Sequence, residues 1–406
     1  MKDILIVYDR MMTGGTTSAL ISLLEEFNYD EYNVDLLLFD LGGEFVNSIP
    51  KEVHVLAPAF NEHRCLFSVS KLKLIFTILN GGVAKSIAYY IKYRKTSKGN
   101  LRLILMHSAV NAQVLISQRV LKRYDVAIGF MEGWADHYVI SRKVKAKKRI
   151  VWFHPDYENS YLIPECDMKV LKKADSVVVV STNCLKKINK IFPQYAQKTY
   201  VVENITSKHF VKERASQATP QIGSATINLI TVARCDISVK GLDRILLALE
   251  RLKKENILFD TVLHYIGGGP ELPALKKMVE NLGLTEHVKI YGQMNNPLVY
   301  LKQMDAFILA SRYEGKPVSV EEALALGVPC LVSNYASASE QIRSCFNGLI
   351  AENTEDGIYQ IMKEYISNNE LRKAMREYTK SFYKERQDAI SKLDELIKGV
   401  GNGNHD

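Results

Sequence analysis

Two glutamates and a glycine turn lie between an apolar run and a helical pattern in the second half of the chain. The apolar run ends near Ala310, Glu314 and Gly315 lie in the turn, and a helix is predicted to open around Ser319 with Glu322 about one turn inside it. The start of such a helix presents unpaired N–H groups and the positive end of the helix dipole, which suit a phosphate. Carboxylates beside an anion site are costly unless they bind hydroxyls, as on a sugar or ribose. The pattern indicates a site for a phosphorylated, hydroxyl-rich ligand; a capped helix with surface glutamates is the alternative.

The wider segment from Ser311 to Pro329 favours the ligand site. It closely resembles the E-x7-E signature of the retaining glycosyltransferases of family 4, the group 1 glycosyltransferases, which have the GT-B fold. The resemblance implies a site for a nucleotide-sugar donor, with Glu314 as a catalytic and donor-binding residue. It assigns further donor contacts to the loop and helix start that follow, at Gly315, Lys316, Pro317, Val318, Ser319 and Glu322.

Other donor-site residues in the second half follow from the same resemblance. Arg234 and Lys240, after the strand predicted at Ile227–Ala233, are similar to the family's strand-end Arg and Lys-Gly pair, whose cations neutralise the leaving diphosphate. Both are therefore expected to be catalytic and donor-binding; two surface cations near a turn are the alternative. Gly268 is similar to part of the family's G-x-G-P turn, and Met294 to the loop whose backbone meets the nucleotide base.

The first half of the chain contributes three more residues to this resemblance. Gly14 and Gly15 resemble the family's glycine loop, where the backbone approaches the donor phosphate without a side chain in the way. A simple turn is the alternative. His154, after the strand predicted at Ile150–Phe153, resembles the family's His segment lining the donor sugar, which implies a catalytic role. Its alternative is a histidine that only satisfies ordinary hydrogen bonds.

No metal and no cofactor are expected. No D-x-D follows a predicted strand, and no His, Cys and carboxylate cluster has ligand spacing. The resemblance implies that Arg234, Lys240 and the helix start meet the charge of the leaving diphosphate. A dinucleotide-dependent oxidoreductase would need G-x-G-x-x-G after the first strand, and Gly14-Gly15 does not supply it. A non-catalytic GT-B partner or glycan-binding subunit is a further alternative, which the presence of both carboxylates and both cations disfavours.

The elements that must position these residues alternate along nearly the whole chain. Short apolar runs separated by helical patterns predict an α/β fold with parallel sheets. We expect two doubly wound Rossmann-like domains facing across a cleft, as in GT-B: an acceptor-side domain at 1–205 and a nucleotide-sugar domain at 206–375, with a linker between Glu203 and Ala225. A C-terminal helix at 376–406 is expected to pack back on the first domain. Strands are predicted at Ile4–Tyr8, Val34–Phe39, Val53–Leu56, Leu103–Met106, Val126–Phe130, Ile150–Phe153 and Val177–Ser181, then at Ile227–Ala233, Val262–Ile266, Val288–Tyr291, Ala306–Ala310, Pro329–Val332 and Leu349–Ile350.

Charge is concentrated in one part of the first half. The chain has a net charge of +8, and between His63 and Tyr124 twelve Lys and Arg occur without one Asp or Glu, interleaved with aliphatic and aromatic residues. This basic segment favours an anionic membrane surface over a merely solvated face. No nucleic-acid motif accompanies it, so nucleic acid is not expected as a partner.

The expected location is cytoplasmic, peripheral to the inner face of the cell membrane. No 18-residue apolar run or signal-peptide order is found, and six cysteines lie far apart as small apolar fillers. The resemblance implies a hexosyltransferase that moves a sugar, with retention, from a nucleotide-diphosphate sugar to a hydroxyl of a glycan or lipid-linked saccharide. Assembly of bacterial capsule, exopolysaccharide or lipopolysaccharide is the implied setting, and UDP is favoured over GDP by family frequency alone. The sequence leaves the sugar, the acceptor, the linkage and the oligomeric state open.

Overall fold

The chain folds into two compact units. A computed structural model describes residues 1–60, 110, 113–114, 117–160, 162–223, 225–382 and 387–399. One unit comprises Met1–Glu203 with Asp388–Asp406, and the other comprises Asn204–Gln387. Most of the basic segment between His63 and Tyr124, and the strand predicted at Leu103–Met106, lie outside the described residues.

A parallel sheet forms the centre of the first unit. Its strands within the described residues are β1 (Lys2–Tyr8), β2 (Tyr32–Leu38), β3 (His54–Val55), β4 (Arg123–Gly129), β5 (Lys145–Phe153), β6 (Ser176–Val179) and β7 (Thr199–Val201), in spatial order β3-β2-β1-β4-β5-β6-β7. The run from Ile4 to Val7 is completely buried, as a strand covered on both faces requires. Because the order reverses between β1 and β4, the switch point of this sheet lies between these two strands.

Helices connect the strands of the first unit. Within the described residues they are α1 (Gly15–Glu25), α2 (Trp134–Val139), α3 (Pro164–Lys173) and α4 (Thr182–Ile191), with short 3-10 turns at Val46–Ser48, Tyr157–Asn159 and Pro193–Lys198. The first helix is buried along Leu20, Leu23 and Leu24, which follow helical spacing. The apolar spacing that predicts this helix also places it against the sheet.

The second unit repeats the same plan. Its described strands are β8 (Ile227–Val232), β9 (Thr261–Ile266), β10 (Val288–Gly292), β11 (Ala306–Leu309), β12 (Cys330–Ser333) and β13 (Gly348–Ala351), in spatial order β10-β9-β8-β11-β12-β13. All neighbouring strands are parallel. The order reverses between β8 and β11, so this pair marks the switch point of the second sheet.

Short and medium helices surround the second sheet. They are α5 (Lys208–Ser216), α6 (Ile237–Lys240), α7 (Leu242–Lys254), α8 (Leu272–Asn281), α9 (Leu298–Leu301), α10 (Val318–Ala325), α11 (Ala338–Gln341), α12 (Glu355–Ser367) and α13 (Asn369–Phe382). The last helix, α14 (Gln387–Lys398), lies against the first unit. There Lys2 Nζ donates to Ile397 O at 3.3 Å, and Lys398 Nζ pairs with Glu31 at 2.8 Å.

Three features differ from the sequence expectations. The predicted linker contains α5, which Ser207 caps by accepting from Phe210 N at 3.2 Å and which buries Phe210 and Val211. The short strand β7 was not expected, although its three residues, Thr, Tyr and Val, are all typical of strands. Cys345 is exposed in a surface turn with a φ of 64°, so it is not the small apolar filler that the sequence predicts.

Candidate functional site

The loops after β8 and β11 meet at the switch point of the second sheet. Lys240 closes the short helix α6 that follows β8, and Glu314 lies in the loop that follows β11. Since β8 and β11 are neighbouring parallel strands, their carboxyl ends open at the same edge. Ligands of doubly wound sheets bind at this edge, at the switch point.

Lys240 and Glu314 form an ion pair there. Lys240 Nζ lies 2.6 Å from Glu314 Oε1, and Ser311 Oγ donates to the same oxygen at 2.7 Å. The side chains are only 20% and 11% exposed, so water screens the pair less than a surface pair. Ser333 Oγ donates to Ser311 O at 2.5 Å, which anchors the loop to the next strand. The arrangement holds a cation and a carboxylate in fixed positions at the sheet edge.

A second set of contacts ties the same two loops together. Arg312 forms a bidentate pair with Asp243, with Nη1–Oδ1 and Nη2–Oδ2 distances of 3.0 and 2.7 Å. Its backbone N–H also donates to Val239 O at 2.9 Å. The hydrogen bonds to Asp243 raise the pKa of the Arg312 guanidinium, so it stays charged. Arg312 therefore holds the two loops together. The charges that face a ligand at the sheet edge belong to neighbouring residues.

Arg234 is the exposed cation of the site. Its side chain is 63% exposed and approaches Asp236 Oδ2 at 3.4 Å, a loose contact that a ligand can replace. Asp236 itself caps α6 by accepting from Val239 N at 3.1 Å, and Glu271 accepts from Ile237 N at 2.5 Å. These two carboxylates hold the start of the Lys240 helix.

The glycine turn after β9 packs directly on the Arg234 loop. Cys235 N donates to Gly268 O at 2.7 Å, and Gly268 N donates to Gln293 Oε1 at 3.0 Å. A Cβ on Gly267 would lie 1.8 Å from Ala233 O, so no larger residue fits without displacing the backbone. Met294, next to Gln293, is partly buried against the apolar core of this unit. The loops after β8, β9 and β10 thus form one continuous surface.

The loop from Gly315 to Pro317 leads into α10. The Lys316 side chain is fully buried, with Nζ 3.9 Å from Glu340 Oε2, and Gln341 Nε2 donates to Pro317 O at 3.0 Å. The helix begins at Val318 without a side-chain cap from Pro317, so its first N–H groups are available to an anion. Ser319 lies in this first turn, as predicted.

Glu322 is 8% exposed inside α10. Arg214 lies close enough for the two charges to interact; burial lowers the pKa of Arg214, and the Glu322 charge opposes that shift. The second carboxylate of the E-x7-E pattern is therefore a buried group rather than a surface glutamate.

Gly14, Gly15 and His154 belong to the first unit. Both glycines follow β1, and Gly14 precedes α1 without a side-chain cap. His154 follows β5, and its Nε2 lies 2.9 Å from Phe130 O. A carbonyl oxygen only accepts, so Nε2 carries a proton. All three lie at the carboxyl edge of the first sheet, while the other predicted residues lie at the carboxyl edge of the second sheet.

Several residues of the site escape sequence reasoning. Ser311 is adjacent in sequence to the predicted loop, but its bond to Glu314 depends on the turn geometry. Asp243 and Glu271 have no motif of their own. In the first unit, Glu132 Oε2 accepts from His154 N at 3.3 Å, a contact between two different strand ends. A carboxylate a few residues after a buried strand was the available signal for Glu132.

The donor-site pattern is matched by a family of known proteins. Residues 216–382 match the family described as glycosyl transferases group 1. This segment is therefore similar to a group 1 glycosyltransferase domain. The matched residues cover most of the second unit, including Arg234, Lys240 and Glu314.

Two relatives with known names come from Escherichia coli. The O-antigen biosynthesis glycosyltransferase WbnH of Escherichia coli is 40% identical over 96 residues, 24% of this chain and 27% of that protein. A second Escherichia coli relative, named UDP-Gal:alpha-D-GlcNAc-diphosphoundecaprenol alpha-1,3-galactosyltransferase, is 29% identical over 106 residues, 26% of this chain and 27% of that protein. The alignments thus span about a quarter of the length of these relatives.

Solved structures extend the likeness of fold to both units. Anabaena HepE, solved with UDP and glucose, superposes with a TM-score of 0.67 at 15% identity, covering 98% of this chain and 99% of that chain. The predicted fold class, with two doubly wound α/β units of the GT-B type, is confirmed.

The described residues contain no group of three or more His, Cys, Asp and Glu placed to hold a metal ion. Within the same ranges, each helix is too short or too polar to span a bilayer.

Proposed function

We propose that the protein is a retaining glycosyltransferase of family 4 that transfers a hexosyl group from a UDP-sugar to a hydroxyl of a glycan or lipid-linked saccharide. The observation that carries the proposal is the Lys240–Glu314 pair at the switch point of the second sheet, 2.6 Å apart and held by Ser311. The group 1 family match over the same residues supports it.

The residues divide between the two halves of the donor. Lys240 and Arg234 offer positive charge to the diphosphate, and the open N-terminus of α10 adds backbone N–H groups. Glu314 offers a carboxylate to the hydroxyls of the sugar. A diphosphate that leaves with extra negative charge is stabilised by these fixed cations and dipoles, with no metal required.

A bacterial surface polysaccharide is the proposed setting. The name of one relative includes a UDP-sugar and a saccharide on diphosphoundecaprenol, which is a lipid-linked acceptor. The basic segment between His63 and Tyr124 supports an anionic membrane surface as a further partner. We propose that the protein acts at the inner face of the cell membrane.

The test uses nucleotide sugars and two donor-site variants. The purified chain is incubated with a panel of UDP- and GDP-sugars, and release of the nucleoside diphosphate is measured with and without saccharide acceptors. With the active donor, the Glu314→Gln and Lys240→Met variants are each expected to lose about 10²-fold or more in turnover, because each substitution removes one fixed charge from the donor site of the protein.

A matched control is available on α7. Lys254 and Glu250 form an exposed pair at 2.7 Å in the same unit, so Lys254→Met removes a similar contact far from the sheet edge. This variant is expected to keep parental turnover. If Glu314→Gln or Lys240→Met turns over like Lys254→Met, the donor-site assignment is wrong. If the parent chain binds glycans but releases no nucleotide from any donor, the non-catalytic alternative is correct.

A further inference from the structure

Glu132 lies beside the switch point of the first sheet, and the proposed function assigns it no role in the donor site. It follows β4, while Gly14 follows the neighbouring strand β1. Ligands of open α/β sheets bind outside the carboxyl ends of the strands at this point. We propose that Glu132 binds a saccharide hydroxyl at the carboxyl edge of the first sheet. The inference rests on the proposed function, because it takes the ligand to be a sugar substrate.

The position of Glu132 is fixed by its neighbours. Its Oε2 accepts the backbone N–H of His154 at 3.3 Å, and the His154 ring is held by Phe130 O at 2.9 Å. The 3.3 Å contact is long for a hydrogen bond to a carboxylate, which usually measures about 2.7–2.9 Å when charge-assisted. The bond to His154 therefore orients the carboxyl group without using its full capacity.

A second carboxyl group nearby shows what a purely structural role looks like. Asp136, in α2, is 1% exposed and accepts Trp152 N at 3.2 Å. Glu132 also accepts backbone N–H groups, including that of His154, yet its residue is partly exposed at the sheet edge. Only Glu132 of these two can reach a ligand.

The chemistry of Glu132 suits a hydroxyl. Burial of the carboxyl group raises the pKa of Glu132, so protonation lies closer to neutral pH than for an ordinary glutamate. A protonated carboxyl group donates one hydrogen bond and accepts another, and a carboxylate accepts two or more. A sugar hydroxyl can donate and accept, so it matches either state. A phosphate would meet the carboxylate with repulsion.

Two substrates carry such hydroxyls, namely the donor sugar and the acceptor saccharide. The experiment distinguishes them by measuring kcat and KM for each substrate, together with hydrolysis of the donor in the absence of acceptor. The variants are Glu132→Ala and Glu132→Gln, with Asp136→Asn as the matched control. Trp134 and Trp152 both lie in the first unit, so their fluorescence reports the folded fraction of each variant.

Glu132→Ala is expected to lower kcat/KM for transfer about 10- to 100-fold, as removal of a hydrogen bond to an ionisable group does. Glu132→Gln keeps an acceptor for His154 N–H and is expected to recover part of that loss. Asp136→Asn is expected to retain parental kinetics. A raised acceptor KM with normal donor hydrolysis assigns the hydroxyl to the acceptor, and a raised donor KM with slower hydrolysis assigns it to the donor.

The contrary results are equally distinct. Parental kinetics in folded Glu132→Ala, or equal losses in Glu132→Ala and Asp136→Asn, would show that Glu132 is only structural and would overturn the inference while leaving the proposed function intact. A parent chain that neither hydrolyses nor transfers any nucleotide sugar would overturn the proposed function and this inference with it.

Discussion

Asp167 provides a test of the folded first unit that does not depend on function. This residue is 2% exposed, accepts Tyr157 OH at 2.6 Å and lies 4.0 Å from His137 Nε2. Burial raises the pKa of Asp167 to about 7, and the charges of Glu132 and Glu165 add to the rise while the Tyr157 bond opposes it. The native state therefore holds a proton that the unfolded chain releases near pH 4.

The size and sign of the effect follow from this difference. A carboxyl group whose folded pKa lies above its unfolded value contributes stability that is complete below about pH 4 and is lost as pH rises toward 7. The rise from 3.8 to about 7 spans roughly three pKa units, or ~4 kcal/mol of unfolding free energy at about 1.4 kcal/mol each. Asp167→Asn cannot ionise, so it should lack this part of the pH dependence.

The assay is urea unfolding followed by tryptophan fluorescence between pH 4 and 8. Both tryptophans, Trp134 and Trp152, are buried in the first unit, so the signal reports this unit within the intact chain. The free energy of unfolding of Asp167→Asn relative to the parent should rise with pH. Asp125→Asn is the control: the side-chain hydrogen bond from Lys147 lowers the pKa of Asp125, so this group titrates below the assayed range and the difference from the parent should stay nearly constant between pH 4 and 8. Parallel pH curves for the parent and Asp167→Asn would refute the reasoning.

Three further outcomes are expected. Gly241→Ala should destabilise the second unit by more than ~1 kcal/mol and weaken UDP binding, measured by urea unfolding and calorimetry, because its φ is 63° and a Cβ would lie 2.0 Å from Ala310 O. Transfer should persist in excess EDTA, since fixed cations stabilise the leaving group; loss in chelator that Mg²⁺ or Mn²⁺ restores would contradict this. Binding to vesicles with anionic lipid, measured by sedimentation, should fall when five cations of the basic segment are replaced by Gln, namely Lys71, Lys73, Lys92, Arg94 and Lys95. Unchanged binding would show that the basic segment is only a solvated face.

The sequence predicts most strands of the described residues because buried parallel strands are continuous apolar runs. The strand expected at Ile4–Tyr8 is found at Lys2–Tyr8, and the one expected at Val262–Ile266 at Thr261–Ile266. The ends differ because hydrogen bonding continues into polar residues that carry no apolar signal. The helix Lys208–Ser216 was missed for the opposite reason, since a few buried side chains stabilise a segment of mostly polar composition.

The types of the site residues could be predicted, but their pairing could not. A glycine turn before a helix identifies Glu314 and the loop around it, because the geometry of such a turn depends on residues that are adjacent in sequence. The contact of Glu314 with Lys240 joins residues 74 positions apart, and it exists only because β8 and β11 are neighbours in the sheet. Strand order is a property of the whole unit, so no local pattern contains it.

The same reasoning explains why Glu132 could not be identified from the sequence. A glutamate after an apolar run is common, and in one dimension it resembles Asp136, four residues later. What separates them is the sheet: Glu132 lies at the reversal between β1 and β4, partly exposed, while Asp136 is buried and accepts the backbone N–H of Trp152. Ligands bind at a switch point, so a polar residue that follows either of its two strands is placed to contact them. In both units of this chain a carboxylate follows one of the two strands, Glu132 after β4 and Glu314 after β11, and in the second unit Lys240 pairs with it from the neighbouring strand end.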